Sequence, residues 1–291
     1  MLRWIVAVAA AGILTLGSTG ARAGAWLQKP GGYYVKLFAS YLYTEEEYDS
    51  EGNLIPIRSG VPGVTNGSFE EIAVTAYVEY GISDKFTLIG TVPYKLLTSS
   101  WTEIGSNFQV QRDIEATSGG LTDMRLGGRY PLKTSGFPIS LESLIKFPLG
   151  YDPSPDLEQV PPLGSGKVDL GIALVSGVSL WPFPGYVTGF GGYRFRGGLA
   201  DELFFNLEAG AGVWRVFGKV ALDGIFSTEA PEDLGTSTTL TVNNEDVLKI
   251  MGELNYSISD HWALSAEAFH VLEGRNTVSG TTWAGGIVYR N

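Results

Sequence analysis

Polar and apolar residues alternate through many short segments of this chain. Between positions 123 and 130, Asp123, Arg125 and Arg129 occupy one set of alternate positions, whereas Met124 and Leu126 belong to the other set. Side chains of a β-strand point to opposite faces with a period of two. The segment is therefore predicted to be a strand with one charged face and one apolar face.

Twelve segments carry a pattern of this kind, each near the roughly 9–11 residues that a tilted strand needs to cross a bilayer. The predicted strands are Tyr33–Thr44, Phe69–Tyr80, Phe86–Leu96, Thr122–Tyr130, Ile139–Pro148, Val168–Leu180, Tyr186–Arg196, Leu203–Trp214, Gly218–Thr228, Asp246–Ile258, Trp262–Leu272 and Thr277–Tyr289. No long amphipathic helical pattern accompanies them. The sequence therefore predicts an all-β protein.

The connections between these strands alternate in length. Short turns are predicted at 81–85, 131–138, 181–185 and 259–261, and long loops at 45–68, 97–121, 149–167 and 229–245. Two connections, 197–202 and 273–276, are brief where the alternation calls for long ones. Short turns on one rim and longer loops on the other are typical of outer-membrane barrels. We therefore expect one antiparallel transmembrane β-barrel of about twelve strands in the outer membrane of a Gram-negative bacterium, in contact with membrane lipid.

The first 23 residues have the pattern of a secretory signal peptide. Arg3 precedes an apolar run from Trp4 to Leu16, and Ala21-Arg22-Ala23 forms an A-x-A cleavage site. The run is shorter than the roughly 20 residues of a membrane-spanning helix. The predicted domains are a signal peptide, residues 1–23, and a barrel, residues 24–291. An exported barrel is expected to meet the outer-membrane assembly machinery.

Composition excludes several functional classes. The formal net charge of −11 disfavours nucleic acid as a partner, because nucleic-acid binding needs a basic face. The absence of cysteine excludes disulfides and thiolate metal sites. With two histidines, His261 and His270, a zinc site is not expected either. No metal or cofactor is predicted.

Catalytic motifs are also missing. The chain has no G-x-S-x-G elbow. His270 falls on the apolar face of its predicted strand, where a membrane-embedded hydrolase would place a histidine, but no serine motif accompanies it. An enzyme is therefore not predicted, and a membrane-embedded hydrolase is the least favoured of the functional classes considered for this chain.

The polar faces of the predicted strands collect both signs of charge. In hydrocarbon each ionised group would cost several kcal/mol, so these side chains are predicted to face the barrel lumen. The lumen-lining candidates are Glu71, Glu79, Asp123, Arg125, Arg129, Glu142, Lys146, Asp169, Arg194, Glu208, Lys249, Glu253 and Glu267, together with Arg196, Lys219 and Asp223. Mixed signs favour a cross-strand network of ion pairs. Two interpretations stay open: the charges line a conduit, or they brace a closed wall.

Aromatic residues in the predicted outer loops are candidates for gathering a ligand. They are Trp101 and Phe108 in one loop, Tyr151 in another, and Tyr43 with Tyr48 near the first. The alternative is that these rings pack within their own loops.

Several motifs resemble the outer-membrane barrel family associated with the phenol-degradation meta pathway, whose members are often described as transporters. The similar segments are the turn Tyr80–Phe86, the box Gly119–Gly127, and the pair Lys146–Gly150 and Leu163–Asp169. The resemblance implies a barrel concerned with uptake or export of hydrophobic, often aromatic, compounds. Related long-chain fatty-acid transporters carry an N-terminal plug, for which the residues before Tyr33 are predicted to be too few.

The function predicted from the sequence is a porin-like outer-membrane channel or transporter. Small hydrophobic or aromatic compounds would pass passively through its lumen. The alternative is a structural or adhesive surface barrel that transports nothing.

Overall fold

The computed structural model describes residues 25–105, 111–152, 160–229 and 244–291. Strands, turns and irregular segments make up these residues. Within the same four ranges, no helix has the length and apolar character needed to cross a membrane. The predicted signal peptide, residues 1–23, lies outside the described residues and stays a prediction.

Sixteen strands are formed by the described residues. They are β1 (Tyr33–Thr44), β2 (Glu46–Tyr48), β3 (Leu54–Pro56), β4 (Val64–Ser83), β5 (Phe86–Ile104), β6 (Gln111–Leu121), β7 (Asp123–Lys133), β8 (Ile139–Pro148), β9 (Asp169–Ser179), β10 (Gly185–Arg196), β11 (Glu202–Val213), β12 (Val216–Ser227), β13 (Asp246–Ser257), β14 (Trp262–Arg275), β15 (Thr277–Val278) and β16 (Thr281–Arg290).

Antiparallel pairing joins these strands into a closed barrel. Each wall strand pairs with its sequence neighbour in the wall, and β1 closes the sheet by pairing with both β4 and β16. β6 and β7 both pair with β5 and follow one another across Thr122, where the register slips by one residue. They therefore act as one bent wall strand. The barrel has twelve wall strands, which confirms the predicted fold class.

The predicted loops after the first and third strands are shorter than expected, and the prediction is wrong there. β4 begins at Val64, β5 continues to Ile104 and β6 begins at Gln111. β2, β3 and β15 form a small separate sheet. These extensions carry polar residues on both faces, as at Thr98 and Thr117, whose hydroxyls lie 3.1 Å apart. A search for alternating apolar residues cannot detect strands that have left the lipid.

The predicted last strand is also divided. Gly280 has a φ of +118°, and the chain bends there between β15 and β16. Residues 277–278 consequently pair with β2 in the small sheet rather than with the barrel wall.

Large apolar side chains cover the outside of the barrel. They include Leu37, Val74, Leu126, Ile145, Leu174, Leu207, Val220, Ile250, Leu254 and Ile287. Exposed aromatic residues near the short turns include Tyr80, Tyr130, Trp181, Trp214 and Trp262. An apolar band with aromatic residues at its edge is the surface that a bilayer requires of a barrel. The protein is accordingly an outer-membrane β-barrel, with its short turns on the periplasmic rim.

The outer face supplies a test of membrane depth. Val220 lies within β12, and Val213 ends β11 beside the periplasmic turn; both side chains are strongly exposed. Val220→Arg should lower the free energy of unfolding by about 2–4 kcal/mol, and Val213→Arg by at most about 1 kcal/mol. Urea titration in phospholipid vesicles measures both. Equal losses would contradict this placement of the bilayer.

Candidate functional site: the barrel lumen

All sixteen lumen-lining candidates belong to the inner face of the wall. In the strand register, Arg125 stands opposite Lys146 and Arg129 stands opposite Glu142, so the candidates on these neighbouring strands share one face. A strand's side chains alternate between faces, so their apolar neighbours point to the lipid. Which of these charges contact a permeant stays a prediction.

Lys36 on β1 holds the first group of charges. Its ammonium lies 2.7 Å from Glu267 and 3.1 Å from Glu253, and the Lys219 ammonium lies 3.1 Å from both Glu253 and Glu208. We call these five residues the Lys36 cluster. The Tyr186 hydroxyl donates a hydrogen bond to Glu208. Glu253 and Glu267 stand opposite one another on β13 and β14, and Lys36 bridges the two carboxylates.

Small residues on β16 make room for the Lys36 cluster. β16 lies between β1 and β14. Its Gly286 stands opposite Phe38, and a Cβ there would come within 2.6 Å of the Phe38 Cβ. Lys36 stands opposite Val288 and Glu267 stands opposite Ala284. Gly286 lies between these two positions of β16 and leaves space for Lys36 to reach Glu267.

Arg129 holds a second group of charges on β4, β7 and β8. Its guanidinium donates to Glu142 at 2.6 Å and lies 3.8 Å from Glu79. Glu79 also accepts hydrogen bonds from the Tyr77 hydroxyl at 2.5 Å and the Gln28 amide at 2.7 Å. We call these five residues the Arg129 cluster. Its carboxylates are satisfied although they are largely buried.

A third group of charges lies on the inner face of the wall, closer to the outer mouth of the barrel. Lys146 is 2.7 Å from Asp169 and 3.0 Å from Asp123. Arg196 lies 2.6 Å from Glu202, to which Arg194 also donates. Mixed signs thus produce the ion-pair network that the sequence indicates.

The N-terminal segment, Ala25–Lys29, enters the lumen from the periplasmic side. The Ala25 carbonyl accepts a hydrogen bond from Ser140 at 2.8 Å, and the Trp26 carbonyl accepts one from Arg129 at 3.2 Å. The Trp26 ring meets Tyr186 edge-on, with centroids 6.0 Å apart. These contacts place the short segment inside the barrel, and the absence of a plug like that of the long-chain fatty-acid transporters stays a prediction.

Gly81 is what lets the N-terminal segment approach the wall. Its backbone exchanges hydrogen bonds of 2.8 Å with Gly31 and Gly32. A Cβ at this position would fall 2.0 Å from the Lys29 carbonyl oxygen. Only glycine permits so close an approach of two backbones.

Apolar residues narrow the opposite, outer mouth. Leu42, Ile57, Phe69 and Leu97 form a buried cluster against which Leu163 and Val278 pack. We call these six residues the apolar cap. Ile57 and Leu163 come from the long connections, which therefore fold inward over the lumen.

The outer-loop ligand candidates occupy different settings. Trp101 lies on β5 rather than in a loop, which corrects its predicted position, and the Arg58 guanidinium covers its ring at 3.6 Å from the centroid. Phe108 lies outside the described residues. Tyr43 ends β1 on the outer face, where its hydroxyl donates to Glu45 at 2.8 Å, and Tyr48 lies on β2. Their ligand role stays a prediction.

Tyr151 ties an outer loop to the Lys146 cluster, defined as Lys146, Asp123, Asp169, Arg194, Arg196 and Glu202. Its hydroxyl donates to Asp123 and accepts from the Gly166 backbone at 2.9 Å. Burial, and then the hydrogen bond to Asp123, raise the pKa of Tyr151 well above its ordinary value. The hydroxyl therefore remains a donor at physiological pH, and the loop stays pinned to the wall.

A cavity of about 320 Å³ opens within the lumen against β7–β14. Glu142 borders it on the side of the N-terminal segment, and Lys146 borders it on the side of Tyr151. Phe190, Phe204 and Phe269 add aromatic rings to its wall. The charged clusters therefore leave part of the lumen unfilled.

Contributors to this site that the sequence analysis missed include Lys36, Glu202, Trp26 and Gln28. A lone lysine between Tyr34 and Phe38 in a membrane strand is a signal that could have revealed Lys36, because it must face inward. Glu202 lies just before its predicted strand. No local pattern in the sequence marks Trp26 or Gln28, since their neighbours are distant in sequence.

Comparison with known proteins supports the fold. No family model matches the chain, and no curated protein matches it in sequence. An outer membrane channel from Pseudomonas putida F1 is similar in structure, with a TM-score of 0.64 at 12% identity over 91% of this chain and 97% of that one.

Two further barrels are less similar. The transport unit of the autotransporter AIDA-I from Escherichia coli has a TM-score of 0.49 at 10% identity, over 95% of this chain and 93% of that one. The CymD monoaromatic hydrocarbon channel has a TM-score of 0.44 at 8% identity, over 91% and 89%.

The Lys36 cluster supplies a stability prediction. Lys36→Met leaves Glu267 without its cation and should cost about 3 kcal/mol, because a buried carboxylate loses its partner. Lys95→Met removes a half-buried pair with Glu71 and should cost at most about 1 kcal/mol. Urea unfolding of both variants measures the two losses of unfolding free energy. Equal losses would show that the buried Lys36 pairs stabilise the barrel no more than the half-buried Lys95 pair does.

Gly81 supplies a permeability prediction. Gly81→Ala should displace the N-terminal segment without removing any charge, and ion conductance in planar bilayers should rise. Gly252→Ala is the matched control, since its Cβ would meet no atom within 4 Å. Unchanged conductance in Gly81→Ala would mean that the segment does not restrict the path.

Proposed function

We propose that this protein is an outer-membrane channel for small hydrophobic or aromatic compounds, which pass through the lumen without an energy source. The observation that carries the proposal is the cavity of about 320 Å³ inside the barrel, which four phenylalanines line. A barrel that served only as an anchor has no need for a ring-lined compartment.

The closures at the two ends support a hydrophobic rather than a hydrophilic permeant. At the outer mouth, a solute meets the apolar cap, where Ile57 and Leu97 are almost completely buried. Ions and sugars without an apolar part lose hydration at such a constriction, whereas a solute with an aromatic ring gains contact with apolar surface. At the periplasmic end the N-terminal segment blocks free diffusion of water-soluble molecules. The motif resemblance to barrels of the phenol-degradation meta pathway points to the same class of compound.

Uptake by whole cells provides the test, because hydrophobic compounds cross pure phospholipid vesicles unaided. Cells that express the protein should take up a hydrophobic aromatic dye, N-phenyl-1-naphthylamine, faster than cells that lack it. Gly171 lines the cavity, and its Cβ would meet nothing closer than 3.7 Å. Gly171→Phe should therefore fill the cavity and return uptake to the rate of cells without the barrel.

Gly252→Phe is the matched control for this test. Gly252 lies on the lipid side of β13 with open space around it, so a ring there leaves the lumen unchanged. Heat-modifiable mobility on gels verifies that each variant is folded. If the barrel confers no uptake, the conduit is wrong.

The competing function is a surface barrel whose interior only braces the wall. The Lys36, Arg129 and Lys146 clusters favour it, because paired buried charges rigidify a wall whether or not anything passes. An unchanged rate of dye uptake on expression is the outcome that this function predicts.

A membrane-embedded hydrolase is the third class. His270 lies on the outer face of β14, and its Nδ1 is 2.9 Å from the hydroxyl of Thr281. A serine hydrolase instead joins the histidine to a serine nucleophile. His270 therefore lends this class no support, and the channel remains our proposal.

A further inference from the structure

Two cations in the lumen cavity differ from the basic residues of the three charged clusters. Arg125 and Lys249 both line the cavity, and no carboxylate of the described residues lies within 4.0 Å of either side chain. By contrast, each basic residue of the three clusters has a carboxylate within 4.0 Å, as Lys36, Arg129 and Lys146 show.

Arg125 is also open to solvent inside the barrel. More than a third of its surface is accessible, although its strand neighbour Arg129 is buried. A guanidinium whose donors are free and reachable can bind a carboxylate in a bidentate manner. Arg125 therefore has what a ligand-binding group needs and what a bracing group lacks.

The charge around the cavity favours an anion. Four cationic and three anionic side chains line it. The one carboxylate there with no cation within 4.0 Å among the described residues is Asp223, which accepts a hydrogen bond from the Asn206 amide at 2.8 Å. Asp223 stands opposite Lys249 in the register, so that lysine is partly compensated, whereas Arg125 faces Lys146, another cation.

Aromatic rings supply the apolar part of the same cavity. The Phe190 and Phe204 rings meet edge-on at 6.1 Å, and the Arg194 guanidinium lies 5.2 Å from the Phe204 centroid. Phe269 lines the cavity from β14. Rings and free cations in one enclosure recognise a molecule with an apolar body and an anionic head.

We propose that the cavity binds small aromatic carboxylates. The carboxylate sits at Arg125, with Lys249 as a second cation, and the ring packs against the phenylalanines. This inference rests on the proposed channel function and narrows its substrate class from hydrophobic compounds in general to amphipathic anions. A cavity of about 320 Å³ is at the lower end of the range for small-molecule sites, which suits a single-ring compound.

Equilibrium dialysis of the detergent-solubilised barrel tests the proposal with two probes of similar size. Phenylacetate carries the charge, and 2-phenylethanol lacks it; empty micelles provide the background. Phenylacetate should bind about tenfold more tightly than 2-phenylethanol, the effect of one charge-assisted hydrogen-bonded contact. Arg125→Met should abolish that preference, and Lys249→Met should weaken it.

Control variants separate binding from folding. Arg125→Lys keeps a cation and should retain part of the preference, and Lys95→Met removes a lumen cation that does not line the cavity and should retain all of it. Lys249→Met remains informative if Arg125→Met does not fold.

The outcomes distinguish this inference from the channel function beneath it. Equal binding of the two probes, unaffected by Arg125→Met, overturns the anion site, while dye uptake by cells that express the barrel would still stand. Absence of dye uptake together with selective phenylacetate binding would contradict the channel function but support the anion-binding site.

Discussion

A bilayer offers no hydrogen bonds to a polypeptide backbone, and this constraint shapes the whole molecule. Every amide and carbonyl within the hydrocarbon must find a partner in the protein, which for strands requires a sheet without edges. β1 satisfies the requirement by pairing with β4 on one side and β16 on the other. Closure then divides the side chains of each strand into one set that faces lipid and another that faces the lumen.

Charge inside the barrel follows from that division. A twelve-stranded barrel is wider than one that apolar side chains can fill, so its interior holds polar groups. Because water is limited there, each carboxylate needs a cation close by, and Lys36 supplies one to Glu253 and Glu267 together. The pairs join strands that are not neighbours in the wall. They stiffen the barrel across its interior as well as around it.

The same interior leaves one compartment incompletely paired. The N-terminal segment closes the periplasmic side through Trp26 and Gln28, and the apolar cap narrows the outer side around Ile57. Between the paired clusters, Arg125 keeps its donors free beside phenylalanine rings. An arginine that only stabilised the wall would be expected to pair with a carboxylate. The cavity beside Arg125 is therefore where we expect a solute to bind.

Much of the architecture can be predicted from the sequence, because lipid imposes a rule that acts residue by residue. Alternation with a period of two predicts the wall strands and the inner or outer face of each charge, as Asp123, Arg125 and Arg129 show. The rule fails where the chain leaves the bilayer, so the pattern predicts a loop at β6 and joins β15 to β16. It also fails at Lys36, whose strand is apolar on both faces.

Position along a strand, by contrast, does not say which charges meet. Glu267 and Lys36 are separated by a strand and by most of the chain, and only closure of the barrel brings them within 2.7 Å. The entry of Trp26 into the lumen likewise depends on the wall, where Arg129 donates to its carbonyl and Gly81 leaves room for the backbone. The barrel and the faces of its strands can be predicted from the sequence, since both depend on local contact with lipid or water. Which charges are paired and which are left free depends on distances across the lumen, and these distances are set when the barrel closes.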